Sequence, residues 1–210
     1  MTDLKICGLS TPETVDAALA AGARYLGFVF FKASPRDLTP ERAQALAARV
    51  PAGIGRVAVL VDPDDALVDA VLAAGMDILQ LHGREDPARL AAIKARTGAK
   101  VWRAAGVATR DDIRAAVIGR GPADLLLLDA KPPKAAALPG GNGVAFDWRL
   151  LAGADMPRPW GLSGGLTAAT VGEAVALVRP DLVDVSSGVE ETPGVKSIDK
   201  IRAFARAALA

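Results

Sequence analysis

Leu4-Lys5-Ile6-Cys7-Gly8 is a short, mostly apolar run that ends in the chain's only cysteine. Alternation puts Lys5 and Cys7 on one face of a strand and Leu4 and Ile6 on the other. Gly8 opens a turn, and Ser10 or Thr11 ahead of Pro12 and Glu13 reads as a helix start. A strand running into a helix this early implies a parallel α/β sheet, either closed or open. An open sheet of the dinucleotide-binding kind carries G-x-G-x-x-G after its first strand, and here Gly8 stands alone. Cys7 then occupies the C-terminal tip of a strand, where α/β folds build their chemistry. The competing reading is a buried structural thiol.

The same unit repeats along the chain. Strands are predicted at 25–31, 56–61, 78–82, 100–104, 124–129, 159–163 and 182–186. Helices are predicted at 12–21, 40–50, 63–74, 87–96, 109–118, 168–178 and 198–209, with Thr39 capping the second and Asp62 the third. After the sixth strand the rhythm breaks. The stretch 131–143 (KPPKAAALPGGNG) has neither apolar period and reads as a long loop, and 146–151 has room for a helix of only a turn or two. Eight strand–helix units with no linker or shift in composition predict a single-domain (β/α)8 TIM barrel over residues 1–210.

Composition narrows the function. With 25 Lys+Arg against 24 Asp+Glu the formal net charge is +1, so neither nucleic acid nor an anionic membrane is expected as a partner. One cysteine excludes an internal disulfide framework and suits a reducing compartment. The first residues lack a charged-then-apolar leader pattern and no apolar run is long enough to span a bilayer, so a cytoplasmic protein is expected. A single His and a single Cys do not make the usual zinc ligand set, and no acidic cluster asks for magnesium, so no metal is expected.

In a barrel the C-terminal strand ends share one face. The polar side chains expected there are Cys7, Arg36 in the loop after the second strand, His82, Arg103, Asp129, Ser163, and Asp184 with Ser186. Cys7 and Asp129 end strands on opposite sides of the ring, a placement that suits a base and an acid flanking one substrate. Asp129 follows Leu125-Leu126-Leu127-Leu128 and shares the inner face with Leu125 and Leu127. A carboxyl at the rim of such a core is partly desolvated, which favours the neutral acid and suits a proton donor. Ser163-Gly164-Gly165 and Ser186-Ser187-Gly188 are small loops on adjacent strands, able to turn main-chain N–H groups towards a phosphate. Arg36 is either a solvated loop charge or a fork for a carboxylate. His82, beside Gln80 on the same face, reads as a hydrogen-bonded wall residue. Lys5 points inward and is expected to pair with Asp184, the alternative being a Schiff-base lysine.

The combination Lys5-Ile6-Cys7-Gly8, Gly27-Phe28-Val29-Phe30, Ser34-Pro35-Arg36, Gln80-Leu81-His82-Gly83, Leu128-Asp129, Gly140-Gly141-Asn142-Gly143 with Phe146-Asp147-Trp148, Leu162-Ser163-Gly164-Gly165-Leu166 and Asp184-Val185-Ser186-Ser187-Gly188-Val189-Glu190, in this order, resembles the phosphoribosylanthranilate isomerases of tryptophan biosynthesis over essentially the whole chain. Ala130 stands where that family often has Ser or Thr, and Asn142 where it often has Thr.

The resemblance implies a phosphorylated sugar–anthranilate substrate and an Amadori rearrangement of an aldose amine to a ketose amine. By matching positions Asp129 is the general acid and Cys7 the general base. Arg36, His82 and Asp184 contact the substrate, and Ser163, Gly164, Gly165, Ser186, Ser187 and Gly188 hold its phosphate. No cofactor is implied, because the substrate nitrogen is the electron sink. A thiol of ordinary pKa near ~8.5 is mostly protonated at neutral pH. Arg36 or Lys5 is therefore expected to lower it. A monomer is the favoured state. The competing enzymes on this fold are a sugar-phosphate epimerase, which wants metal-binding His and Asp residues, and an indole-glycerol-phosphate synthase, which leans on lysine and glutamate at strand ends. A non-catalytic phosphosugar-binding module would have no use for Cys7 facing Asp129.

Overall fold

The computed structural model describes residues 2–131, 140 and 146–210. The element order is β1 (Asp3–Cys7), α1 (Pro12–Ala20), β2 (Tyr25–Phe30), α2 (Pro40–Ala47), β3 (Gly55–Leu60), α3 (Asp65–Ala73), β4 (Ile78–Leu81), α4 (Pro87–Thr97), β5 (Lys100–Val107), α5 (Arg110–Ile118) and β6 (Leu125–Ala130). There follow a 3-10 turn (Trp148–Leu151), β7 (Trp160–Leu162), α6 (Val171–Val178), β8 (Leu182–Val185), a second 3-10 turn (Ser187–Val189), β9 (Glu190–Thr192), β10 (Val195–Lys196) and α7 (Ile198–Ala208).

Strands β1 to β8 pair in chain order, and β8 pairs back onto β1 to close a parallel barrel. Lys5 lies opposite Tyr25 on one side and Asp184 on the other. Alternation sorts the core into two shells as the sequence pattern requires. Leu4, Ile6, Leu126 and Leu128 face outward into the large core shared with the helices. Val57, Ile78, Trp102, Leu125, Leu127 and Leu182 fill the inside of the barrel, and Cys7, Val29 and Val59 lie above them, nearer the strand C-termini. The interior beneath the mouth is thus packed with apolar side chains, apart from the fully buried Lys5. Among the described residues no helix is long and apolar enough to cross a membrane.

Local chemistry explains most helix starts. Thr11 and Thr39 accept the N–H groups of Thr14 and Arg42, three residues on, at 3.4 and 3.3 Å, each ahead of a proline in the first turn. The third helix differs from expectation. Asp64, not Asp62, is its cap and accepts the N–H of Leu67 at 2.8 Å. Asp62 is turned aside at φ +44° and its Oδ1 accepts the N–H of Arg84 at 2.7 Å, tying two loops together.

Two other elements depart from the pattern. Strand β5 continues to Val107 because Gly106 and Val107 pair with Asp129 and Ala130 of β6. Arg103 is therefore mid-strand and not a strand end; it faces outward, where its Nη1 donates to the Glu85 carbonyl at 2.7 Å. The antiparallel hairpin β9–β10 has no counterpart in the sequence reading, since strands of three and two residues carry no period. The 146–151 stretch forms the short 3-10 turn at Trp148–Leu151. Most of the predicted 131–143 loop, including Gly141, Asn142 and Gly143, lies outside the described residues.

Candidate active site

Among the described residues a cavity at the barrel mouth is lined by Cys7, Arg36, His82, Asp129 and Asp184, together with both small loops, 163–165 and 186–188. Arg103, also expected on this face, does not line it. Val29, Phe31, Val59 and Val61 supply an apolar wall, and Gln80 and Gly140 complete the lining.

Cys7 is the last residue of β1 and is 7% exposed. Its in-register neighbour on β2 is Gly27, where a side chain would start 2.9 Å from Sγ and 3.1 Å from Lys5 Nζ. Lys5 is fully buried and donates to Asp184 Oδ2 at 2.9 Å, so the pairing expected from the sequence is present. Burial alone would strip the Lys5 proton, but the Asp184 carboxylate beside it, helped by Cys7, holds the ammonium charged and moves its pKa up. This speaks against a Schiff-base lysine, which needs the opposite shift. Burial is also the largest influence on Cys7 and pushes the thiol up; Lys5 and Lys196 pull the other way without prevailing, and Asp184 adds to the rise. The sequence-based expectation of a lowered thiol is thus corrected: Lys5 acts in the expected sense, but desolvation wins.

Asp129 sits one residue from the end of β6 and is 6% exposed. Its Oδ1 accepts the N–H of Ala130 at 2.8 Å. Its Oδ2 lies 3.3 Å from His82 Nε2, in ion-pair range but off the line of a hydrogen bond, so that nitrogen has no hydrogen-bond partner among the described residues. Gly140 closes over this pair; a Cβ there would fall 2.4 Å from Asp129 Oδ2 and 2.6 Å from His82 Cε1. Two more buried acceptors face the cavity without a partner among the described residues: Gln80 Oε1 and Asp184 Oδ1. Buried acceptors left open beside a cavity are what a hydroxylated ligand would satisfy.

The first small loop packs on the carboxyl, and Gly188 of the second backs onto the Leu166 carbonyl just after the first. Gly164, at φ +84°, leaves only 2.4 Å between a would-be Cβ and the Ala130 nitrogen, and 3.0 Å to Asp129 Oδ1. Ser163 spends both its N–H and its hydroxyl on the Leu128 carbonyl, at 2.8 and 3.0 Å. Arg36, 5% exposed, grips Glu190: Nε donates to Oε1 and Nη2 to Oε2, each at 2.7 Å. It is therefore not the solvated loop charge of the alternative reading.

The model of the family "N-(5'phosphoribosyl)anthranilate (PRA) isomerase" matches residues 4–207. The chain belongs to this isomerase family. The N-(5'-phosphoribosyl)anthranilate isomerase of Paracoccus denitrificans is 57% identical over 202 residues, covering 96% of this chain and 94% of that protein. The crystal structure of phosphoribosyl anthranilate isomerase from Thermotoga maritima superposes with a TM-score of 0.89 at 35% identity, covering 100% of this chain and 99% of that one. A further isomerase structure, in complex with reduced 1-(o-carboxyphenylamino)-1-deoxyribulose 5-phosphate, has a TM-score of 0.87 at 34% identity with the same coverage.

Two buried groups next to the site were not foreseen from the sequence, Glu190 and Lys196 of the hairpin, which pack against Arg36 and Ser186, while Gln80, read as a neighbour of His82 on the same face, lines the cavity. Glu190 and Lys196 did leave a signal. Opposite charges flank Pro193-Gly194, a turn pair that sets residues across a hairpin.

Proposed function

We propose that this chain converts N-(5-phosphoribosyl)anthranilate to 1-(2-carboxyphenylamino)-1-deoxyribulose 5-phosphate, with Asp129 as general acid and Cys7 as general base. The observation that carries the reading is the full-length family match combined with the meeting of all the candidate residues in one cavity.

Asp129 delivers a proton to the furanose ring oxygen; the C1′–O bond breaks and the nitrogen lone pair forms a protonated imine. That cation acidifies the C2′ hydrogen, which the Cys7 thiolate removes, and the electron pair of the broken C–H bond flows to nitrogen to give an enolamine. Tautomerisation of the enol to the ketone completes the rearrangement. The phosphate is held by main-chain N–H groups of the glycine loops, chiefly those of Gly164, Gly165, Ser187 and Gly188, since Ser163 uses its own on Leu128. Ser163 and Ser186 frame these loops. Arg36 holds the anthranilate carboxylate, the ring rests on the Val29–Phe31 and Val59–Val61 wall, and His82 and Asp184 take sugar hydroxyls.

The enzyme acts in the cytoplasm, where its lone thiol stays reduced. It acts as a monomer, which light scattering on the purified chain tests. The decisive assay adds enzyme to freshly made substrate and follows the loss of its anthranilate fluorescence. Loss above the spontaneous decay, abolished in Cys7→Ala and Asp129→Asn, is expected; a parent chain that leaves the signal at the spontaneous rate overturns the assignment.

A further inference from the structure

Behind the cavity wall lies a layer of buried charge that the reaction does not use directly. Glu190, the first residue of β9, is 7% exposed and sits between two cations. Arg36 holds it by both oxygens, and Lys196 of β10 donates to the same Oε1 that accepts from Arg36 Nε. Lys196 also donates to the Ser186 carbonyl at 3.1 Å and to the Ser186 hydroxyl at 3.2 Å, and its side chain is 1% exposed. Glu190 and Lys196 are partners in the β9–β10 register, so the hairpin itself sets carboxylate and ammonium side by side. Its Gly194 backs onto the segment that carries Arg36: a Cβ there would come within 2.7 Å of the Pro35 carbonyl oxygen.

Three charges withdrawn from water are a poor way to gain stability, because desolvation consumes most of the Coulombic return. What the cluster does is join two distant parts of the mouth, the segment after β2 and the loop after β8.

We propose that the β9–β10 hairpin, through Glu190 and Lys196, positions the two anion-holding parts of the site against each other: the Arg36 fork for the carboxylate and the 186–188 loop for the phosphate. This rests on the isomerase reading given above. Glu190 fixes the plane of the guanidinium by taking its Nε edge. Lys196 pins the loop at Ser186, so that the amides after it keep their aim. Neither group touches the substrate; both are positioning residues, and they act on a ligand that presents two anions at a set separation.

The test is steady-state kinetics, with inorganic phosphate as an inhibitor that probes the loop alone. Glu190→Gln should raise KM for the substrate about tenfold and change kcat by less than about threefold, the pattern of lost binding and not of lost chemistry. Lys196→Met should raise both that KM and the inhibition constant of phosphate, and Lys196→Arg should restore most of each. In an Arg36→Met background Glu190→Gln should add no further rise in KM, because the group it positions is gone. The double variant Glu190→Gln/Lys196→Met keeps the net charge of the cluster and serves where a single variant does not fold; it should show the same KM defect. Unchanged KM and phosphate inhibition, or a Glu190→Gln effect that persists in full without Arg36, overturns the proposal. A parent chain with no turnover overturns the isomerase reading and this proposal with it, before any variant is made.

Discussion

Cys7 and Gly27 face each other in register across β1 and β2, and the side chain that Gly27 lacks is the space that the thiol and the Lys5 ammonium share. A methyl group there would start 2.9 Å from Sγ, 3.0 Å from the Cys7 Cα and 3.1 Å from Lys5 Nζ. The Cα belongs to a barrel strand and has no room to give. Gly27→Ala is expected to destabilise the fold by about 1–3 kcal/mol, the usual cost of overpacking, and to lower kcat by displacing Sγ. Urea denaturation and turnover, measured on the same preparation, check both; a variant with parental stability and kcat contradicts the placement.

The pH dependence follows from the thiol. A general base must be deprotonated, and burial moves Cys7 above its ordinary range despite Lys5. The ascending limb of kcat/KM is therefore expected to climb on the alkaline side of neutrality, and the rate of Cys7 alkylation by iodoacetamide should climb over the same interval. Lys5 works against the rise, so Lys5→Met should push both curves further up in pH. An ascending limb that is complete below neutral pH, or that is unmoved in Lys5→Met, would count against Cys7 as the base.

Lys5 and Asp184 are a buried pair, and breaking it should cost more than removing it. Lys5→Met alone leaves the Asp184 carboxylate with no salt-bridge partner among the described residues, at an expected cost of about 3–5 kcal/mol. Asp184→Asn in the same chain removes that charge, and the double variant should recover much of the loss. Thermal melts of the parent, both single variants and the double variant form the cycle. Additive losses would mean that the two residues are not coupled as their 2.9 Å contact implies.

Much of the site was legible because barrels gather strand ends. The apolar period that places Leu125 and Leu127 inside also places Asp129 at the rim, and the alternation that buries Leu4 and Ile6 among the helices turns Lys5 and Cys7 inward. The glycine loops were legible because small residues recur after adjacent strands. Arg103 misled because Ala104-Ala105-Gly106 looks like a strand fading into a loop, whereas pairing with β6 carries the strand on. The role of Glu190 was hidden for a different reason: a lone glutamate between a strand and a helix looks solvated until tertiary structure closes Arg36 and Lys196 around it.

That enclosure makes Glu190 a source of pH-dependent stability. Burial alone would push its carboxyl up, but the hydrogen bonds from Arg36 and the ammonium of Lys196 outweigh it and hold the group below the usual carboxylate range. A carboxylate depressed in the folded state stabilises the fold at pH above its unfolded value, near ~4.3, and that stabilisation is lost as pH falls through the lower folded value. Glutamine has no such titration. The difference in Tm between the parent and Glu190→Gln should be full at about pH 7 and shrink towards about pH 3, as protonation makes the parent resemble the variant. Calorimetry at the two pH values checks this. A gap of constant size would mean that Glu190 contributes through shape and not through charge.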